Sequence, residues 1–202
     1  QTKSRRVRVS PELIRVSDGT TKWQQPFDTE LNDVFQVQAD IASRVAQALD
    51  VALGEGVRAQ LTQRPTQNVD AYDAFLRGEQ LSQNLSVSDA VPLRKAIGFY
   101  NEATTKDPRF VEAWAQLSRA SCLMSSTSPT PDGLQRCEDG AEGAIAIAPD
   151  NRYSRLAMGA YFRYAQRDND KALEQYLLGL RVHPNSAELL AASAIVERGL
   201  GR

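Results

Sequence analysis

Apolar positions in residues 69–202 recur at the spacing of paired amphipathic helices. Pro108, Pro149 and Pro184 each end one apolar stretch and precede the next, and a proline cannot continue a helix. The residues upstream of each proline repeat as well, in the sets Ala96, Cys137 and Ala172, then Tyr100, Ala141 and Tyr176, then Ala103, Ala144 and Gly179. Small residues let antiparallel helices approach closely, so the pattern predicts an array of helical hairpins.

Residues 1–65 show a different pattern, with a period of two. Val7 and Val9 alternate with arginines, as in a half-buried strand. The turn-forming residues 17–20 precede a second strand around Trp23. The pattern predicts a β-hairpin.

A helix is predicted after the hairpin. Asp33 and Gln36 have the spacing of a capping box, and Gly54 is a natural stop. Apolar residues at helical spacing lie between them, at Val34, Val37, Ile41, Val45, Ala48 and Ala52. This stripe is expected to cover the hairpin, because two strands alone cannot cover a core. Since an unpaired strand edge recruits another chain, we expect a homodimer through residues 5–27.

The helical array resembles the tetratricopeptide repeat, a unit of about 34 residues with two antiparallel helices. Trp114 and Leu117, and later Gly159 and Phe162, match the first helix of such a unit and are expected to be buried between helices. The resemblance implies units over 69–108, 109–149 and 150–184, a half unit over 185–202, and extra residues at 85–90 and 125–132 between paired helices.

Residues 1–65 resemble the end of a TolB amino-terminal-like α/β domain. The matching motifs are residues 6–14, Trp23, Phe27 with Asp28, and residues 33–42. Such domains precede tetratricopeptide repeats in bacterial serine/threonine kinases, class III adenylate cyclases and membrane-bound transcription activators. The expected fold is therefore mainly α: a small α/β element over 1–65, followed by a helical-hairpin solenoid over 66–202. The resemblance also implies the regulatory C-terminal region of a larger bacterial signalling protein, in its cytoplasmic or periplasmic portion.

Charge and hydropathy exclude some partners. The 202 residues carry a formal net charge of −1, without the basic excess of a nucleic-acid-binding domain. No apolar run approaches the roughly 20 residues that span a bilayer. We therefore expect neither nucleic-acid binding nor direct membrane insertion.

Catalytic motifs are absent from the sequence. It has no Gly-Lys-Ser/Thr phosphate loop, no kinase His-Arg-Asp or Asp-Phe-Gly, and no His-Glu-x-x-His. The single histidine, His183, precedes Pro184 at a helix end, where a structural role is expected. Asp168 and Asp170 lack the following Gly and Glu of a calcium loop and predict a helix cap instead. A protein without enzymatic activity, cofactor or metal site is expected.

Cys122 and Cys137 leave two interpretations open. The favoured one is a pair of small buried residues, because free cysteine is commonly buried. The consensus register supports it, since it places Cys122 towards the groove and Cys137 in the helix pair. The alternative is a disulfide across the insertion of the second unit, which would imply an oxidising compartment.

The resemblance implies a binding site as well, because such arrays bind partners on the concave face lined by their first helices. The positions assigned to this face are Tyr72, Phe75, Glu79, Gln83, Glu112, Ala115, Arg119, Leu123, Tyr153, Leu156, Arg163, Tyr164, Glu188 and Arg198. Tyrosine and arginine are frequent anchors, so Arg119, Tyr153, Arg163 and Tyr164 are expected at the energetic centre. Phe75 and Glu79 stand where chaperone-binding repeats have a Lys-x-x-x-Asn clamp for a C-terminal carboxylate, so that mechanism is not expected.

These observations predict a protein–protein interaction module that binds a protein or peptide in its concave groove. Two alternatives stay open. One is a small-molecule-sensing domain, which would require a closed pocket. The other is a non-catalytic fragment of a kinase or adenylate cyclase.

Overall fold

The computed structural model describes residues 6–30, 34–48, 65–82 and 90–201. The chain divides into two compact units between Val69 and Asp70. The first unit contains the strands and one helix, and the second contains the helical array.

The first unit contains an antiparallel hairpin. Its strands are β1 (Arg6–Val9), β2 (Glu12–Ile14), β3 (Thr21–Gln24) and β4 (Phe27–Glu30). β2 pairs with β3 at the turn, and β1 pairs with β4 further out. The interruption falls at Pro11 and Pro26, which have no N–H to donate to a ladder. The predicted β-hairpin is confirmed.

The hairpin turn is closed by its own polar groups. Asp18 Oδ1 accepts hydrogen bonds from the Thr20 hydroxyl at 2.7 Å and the Thr20 N–H at 3.0 Å. The Thr20 hydroxyl contributes most to holding the pKa of Asp18 below its usual range. Gly19 has a φ of 68°, a left-handed conformation that favours glycine.

Helix α1 (Val34–Ala48) packs against β3 and β4. Val37 and Ala46 are buried on its inner face. Arg44 reaches back to the hairpin, where its Nη1 donates to Gln25 Oε1 at 2.6 Å and its guanidinium lies 5.9 Å from the Phe27 ring centroid. The helix is confirmed, whereas Asp33 and Gly54 lie outside the described residues.

The second unit has the fold of a tetratricopeptide repeat array. Its helices are α2 (Val69–Ser82), α3 (Ala90–Lys106), α4 (Val111–Thr127), α5 (Pro131–Ile147), α6 (Arg152–Ala160), α7 (Asn169–Val182) and α8 (Ala187–Gly199). Short connections make consecutive helices antiparallel, and Pro108, Pro149 and Pro184 lie in the turns between pairs. We call α2, α4, α6 and α8 the inner helices and α3, α5 and α7 the outer helices.

The core between paired helices consists of small residues facing aromatic rings. Ala96, Ala103, Ala144 and Ala172 are fully inaccessible, and Tyr100 and Tyr176 are 1% and 3% exposed. Leu117 is buried with them, and Gly78 and Gly159 lie directly against the rings of Tyr100 and Tyr176. The predicted core is therefore confirmed at these positions.

Trp114 and Phe162 were expected to be buried in this core, but both are only half-buried. The indole of Trp114 lies at the turn, where its Nε1 donates to the Pro108 carbonyl at 2.9 Å. The ring of Phe162 lies near the surface, 5.7 Å from the Lys171 ammonium. Each ring thus covers the edge of a helix pair rather than its centre.

The expected insertion at residues 125–132 is largely helical. α4 continues to Thr127 and α5 begins at Pro131, so residues 128–130 alone connect them. Thr130 caps α5 by accepting the Gly133 N–H at 3.1 Å, and proline suits the first position of a helix. The extra residues therefore lengthen this helix pair. The other expected insertion, at 85–90, lies mostly outside the described residues.

The polar residues near Pro184 and before α7 have structural roles. Asp168 accepts the Lys171 N–H at 2.9 Å at the start of α7, so the predicted cap is confirmed. This hydrogen bond is the largest cause of the lowered pKa of Asp168. His183 ends α7, and its Nε2 lies 3.0 Å from the Asp150 carbonyl oxygen, which joins two successive turns.

The contact between Gly159 and the Tyr176 ring leads to a stability prediction. A methyl group at residue 159 would collide with a buried ring that cannot move aside, so Gly159→Ala should lower the free energy of unfolding by about 1–3 kcal/mol. Gly98→Ala is the matched control, because Gly98 faces open space on α3 and should gain up to about 1 kcal/mol in helix propensity. Urea denaturation of both variants measures the difference. Equal effects at the two positions would contradict the packing described.

The expected homodimer through residues 5–27 stays a prediction. In the described residues, each hairpin strand is paired on one side only, and open edges tend to pair with another chain. Light scattering over a concentration series should show a dimer. A monomer at all concentrations would argue against edge pairing.

Candidate functional site

A cavity of about 580 Å³ lies across the inner helices of the array. We call it the groove. Its apolar floor consists of Ala120, Leu123, Leu156, Ala160, Ala192 and Ile195. Its polar wall consists of Glu79, Ser82, Gln116, Arg119, Arg163 and Glu188, together with Tyr100, Tyr164 and Tyr176. The polar lining residues on α2 and the mixed lining residues on α4 and α8 therefore share one surface with the apolar lining residues of α6.

The structure brings many of the sequence-predicted residues together here. Those that line the groove are Glu79, Arg119, Leu123, Leu156, Arg163, Tyr164 and Glu188. The other predicted residues do not line it, namely Tyr72, Phe75, Glu112, Ala115, Tyr153 and Arg198, and Gln83 lies outside the described residues.

Tyr153 was expected at the energetic centre and lies elsewhere. Its ring packs against a cluster of buried alanines that includes Ala115 and Ala157. Arg152 covers its other face, with the guanidinium 4.6 Å from the ring centroid and Nη2 donating to the Tyr153 hydroxyl at 2.8 Å. Its neighbours thus hold the Tyr153 side chain in the packing between helices, and it does not line the groove.

The other predicted residues that do not line the groove have positions that local packing or exposure accounts for. Tyr72 stacks on Phe75 at a centroid distance of 6.4 Å, and Phe75 in turn lies 4.9 Å from the Phe110 ring. These rings fill the core between α2 and α4. Burial raises the pKa of Glu112, and Arg152 acts in the opposite direction. Arg198 lies exposed in the last turn of α8.

A hydrogen-bonded chain of side chains fixes one end of the groove. The Tyr100 hydroxyl donates to Glu79 Oε1 at 2.7 Å and lies 2.9 Å from the Ser82 hydroxyl. Gln116 Nε2 donates to the same Glu79 oxygen at 2.8 Å, and Arg119 Nη1 donates to Gln116 Oε1 at 3.0 Å. Burial raises the pKa of Tyr100 well above its usual range, so the phenol remains a neutral donor at neutral pH. The chain connects α2, α3 and α4.

Two arginines, Arg119 and Arg163, line the groove. Arg163 lies over the Tyr164 ring, with its guanidinium 4.9 Å from the centroid. Burial raises the pKa of Tyr176 to about 12, while the charges of Arg163 and Arg119 act to lower it. Among the described residues, neither arginine forms an ion pair with a carboxylate.

Arg163 and Tyr164 stand on a short π-helix, Tyr161–Ala165, that continues α6. The Gln166 N–H donates to the Tyr161 carbonyl at 3.2 Å, five residues back, and Arg167 then has a φ of 56°. Such segments are frequent at functional sites, because they redirect side chains that an α-helix would place elsewhere. Nothing in the sequence pattern indicated this segment.

Cys122 and Cys137 form a disulfide between α4 and α5, with 4.9 Å between their Cα atoms. The interpretation favoured from the sequence, two unpaired buried cysteines, is therefore wrong, although both residues are fully inaccessible. The bridge packs against Ala160, Tyr161 and Tyr164, so it supports the groove wall from behind. Cys122 lies one helical turn after Ser118, whose hydroxyl donates to the Cys137 carbonyl at 2.7 Å, so this face of α4 packs against α5.

Sequence reasoning missed the groove role of Tyr100 and Tyr176. Their repeat position marked them as core residues, and their rings are indeed core. However, both reach from an outer helix to the groove, and a buried tyrosine hydroxyl usually finds a polar partner. The recurrence of tyrosine rather than phenylalanine at this position was the available signal.

Other site types lack support in the described part of the chain. There, no group of three or more His, Cys, Asp or Glu residues could hold a metal ion. Within the same ranges, each helix is too short or too polar to cross a membrane.

No family model matches the chain. It is 25% identical over 143 residues to Putative adenylate cyclase 3 of Rhizobium meliloti (strain 1021), which covers 69% of this chain and 24% of the cyclase. It is 26% identical over 132 residues to the Hsp70-Hsp90 organizing protein of Triticum aestivum, which covers 65% of this chain and 21% of that protein. The chain thus spans a quarter or less of the length of these curated relatives.

A solved structure shares the fold of the array. The first tetratricopeptide repeat domain of Spaghetti (RPAP3), bound to the HSP90 peptide SRMEEVD, superposes with a TM-score of 0.51 at 16% identity. The likeness covers 67% of this chain and 98% of that domain. The second unit therefore has the fold of a tetratricopeptide repeat array, while the TolB-like interpretation of residues 1–65 stays a prediction.

The disulfide leads to a prediction about stability. Closing a loop over a sequence separation of 15 residues restricts the unfolded chain, so reduction should lower the free energy of unfolding by about 3 kcal/mol. Thermal melts with and without reductant measure this effect. The Cys122→Ala, Cys137→Ala double variant is the control, because its melt should not respond to reductant. A wild-type melt that is insensitive to reductant would contradict the bridge.

Proposed function

We propose that the helical array is a protein–protein interaction module whose groove binds a peptide segment of a partner protein. The observation that carries this proposal is the groove itself. It places Arg119, Arg163 and Tyr164 on one continuous surface above an apolar floor. Arginine and tyrosine are the residue types that most often carry binding energy, and extended concave surfaces are what helical repeats use for partners.

The shape and rigidity of the groove favour a peptide as the ligand. Its floor includes Ala120, Ala160 and Ala192, whose short side chains leave room for the backbone and apolar side chains of a partner. The hydrogen-bonded chain from Tyr100 to Arg119 holds the polar wall before any ligand arrives. A wall that is already ordered reduces the entropy lost on binding.

The similar proteins support a peptide ligand in general terms. The Spaghetti domain of the same fold is bound to an HSP90 peptide. We propose a mode of binding other than the Lys-x-x-x-Asn clamp of chaperone-binding repeats, because Phe75 and Glu79 stand at the clamp positions. Phe75 is committed to the core beside Tyr100, with 6.0 Å between ring centroids, and Glu79 accepts two hydrogen bonds.

We further propose that the chain is a regulatory, non-catalytic region of a larger signalling protein. Support comes from the likeness to a region of a putative adenylate cyclase and from the TolB-like motifs of residues 1–65. The binding of a partner in the groove would then control an output located elsewhere in that protein.

A small-molecule sensor is the second candidate. The groove volume of about 580 Å³ falls in the range of small-molecule pockets. Native mass spectrometry of the purified protein distinguishes the two, because a sensor should retain a small ligand that is lost when Ile195→Trp, at a partly exposed lining position, narrows the cavity.

The proposal predicts the effect of truncating the anchors. Arg163→Ala and Tyr164→Ala should each weaken binding of a partner peptide by roughly 1–2 kcal/mol, because each removes an anchor side chain. Arg136→Ala on α5 is the matched control, since Arg136 is exposed on an outer helix and does not line the groove. Titration calorimetry with a partner isolated on the intact protein measures affinity, and circular dichroism checks the fold.

One pattern of results would reject the groove as the binding surface. In that pattern, both groove variants bind the partner normally, while substitution of Arg136 or its exposed neighbours on α5 abolishes binding.

A further inference from the structure

We infer that the groove selects a peptide with an internal acidic residue flanked on both sides by basic residues. This inference rests on the proposed function and adds the chemistry of the partner. Its basis is the order of charged side chains along the inner helices. Glu79 on α2 and Glu188 on α8 stand at the two ends, and Arg119 on α4 and Arg163 on the π-helix that continues α6 stand between them.

The four inner helices are neighbours in this order. Gln116 on α4 donates to Glu79 on α2, and α6 packs against both α4 and α8. The charges therefore run negative, positive, positive, negative across one surface. A partner of complementary charge has acidic groups at its centre and basic groups towards its ends, because unlike charges that face each other favour the correct register.

The two arginines have N–H donors that can still bind a carboxylate. Arg119 donates one hydrogen bond to the neutral amide of Gln116, and the Arg163 guanidinium lies over the Tyr164 ring. Each guanidinium has five N–H donors, and within the described residues neither meets a carboxylate. A carboxylate placed between them could accept from both, and such charge-assisted bonds are strong.

The two glutamates remain available to basic side chains. Both hydrogen bonds to Glu79 end on the same oxygen, Oε1, which leaves the acceptor capacity of Oε2 for a partner. Glu188 is exposed, and its backbone hydrogen bond contributes most to lowering its pKa, so it is ionised at neutral pH. Lysine or arginine side chains at the ends of the peptide would meet these carboxylates.

The acidic group belongs to a side chain within the peptide rather than to its C-terminus. A terminal carboxylate between the arginines would end the partner chain in the middle of the groove. Apolar lining residues lie on several of the inner helices, from Leu123 on α4 to Ile195 on α8, and a peptide that ended between the arginines would leave part of this apolar surface uncovered. A peptide that continues past the arginines in both directions contacts the whole length of the groove.

The experiment is a selection of random peptides displayed with both ends blocked by fusion. The targets are the wild type, the Arg119→Gln, Arg163→Gln double variant, and Arg94→Gln, which changes an exposed arginine on outer helix α3. Peptides from the wild type and from Arg94→Gln should show central Asp or Glu with flanking Lys or Arg. Selected peptides should lose about tenfold in affinity for each groove arginine removed, so about a hundredfold for the double variant. Replacing the acidic residue of the peptide with its amide should cause the same loss as the double variant, because that residue faces both arginines.

Contrary outcomes separate this inference from the proposed function. Peptides that bind in a Tyr164-dependent manner but show no central acidic residue would overturn the charge pattern and leave the groove as a peptide site. Enrichment only of free C-terminal carboxylates, in a parallel library with open C-termini, would overturn the internal position. A failure to enrich any peptide on the wild type would overturn the inference, and normal binding of a natural partner to Tyr164→Ala would reject the groove itself.

Discussion

The contact of a glycine with a tyrosine ring is the constraint on which the array depends. Gly78 faces Tyr100 in the first helix pair, and Gly159 faces Tyr176 in the third. With no side chain on the inner helix at these points, the ring fits between the helices and its hydroxyl emerges in the groove. One contact therefore sets the spacing of a helix pair and also places a polar group on the binding surface.

The second repeat unit carries a different device, a disulfide that packs against the third repeat unit. The disulfide between Cys122 and Cys137 packs behind the π-helix that carries Arg163 and Tyr164. A segment with this wider turn forms less regular backbone hydrogen bonds than an α-helix, so its side chains need support from neighbouring packing. The bridge provides a rigid surface where the groove has its highest concentration of aromatic and cationic side chains.

The features that all repeats share could be predicted from the sequence. The departures of individual side chains from the repeat pattern could not. Small residues and prolines at recurring positions specified the helix pairs, because close approach and helix termination are local requirements of those residue types. Tyr153 was misplaced because the same register assigns it to the groove, whereas Arg152 holds its ring in the packing between helices. The disulfide was misjudged for a related reason, since the consensus register assigns Cys122 to the groove whereas its face of α4 packs against α5.

By itself, the sequence determined the class of fold and the helix boundaries near each proline, and it predicted the candidate groove residues Glu79, Arg119, Leu123, Leu156, Arg163, Tyr164 and Glu188 that line the cavity. Only the tertiary structure decided that Tyr100 and Tyr176 reach the groove from the outer helices, that a π-helix continues α6, and that two arginines and two glutamates line one surface. The physical reason is that the sequence pattern reports interactions along one helix, whereas the groove depends on contacts between helices. Periodicity records which face of one helix is apolar, whereas the neighbours of a side chain across helices depend on how the helices pack together.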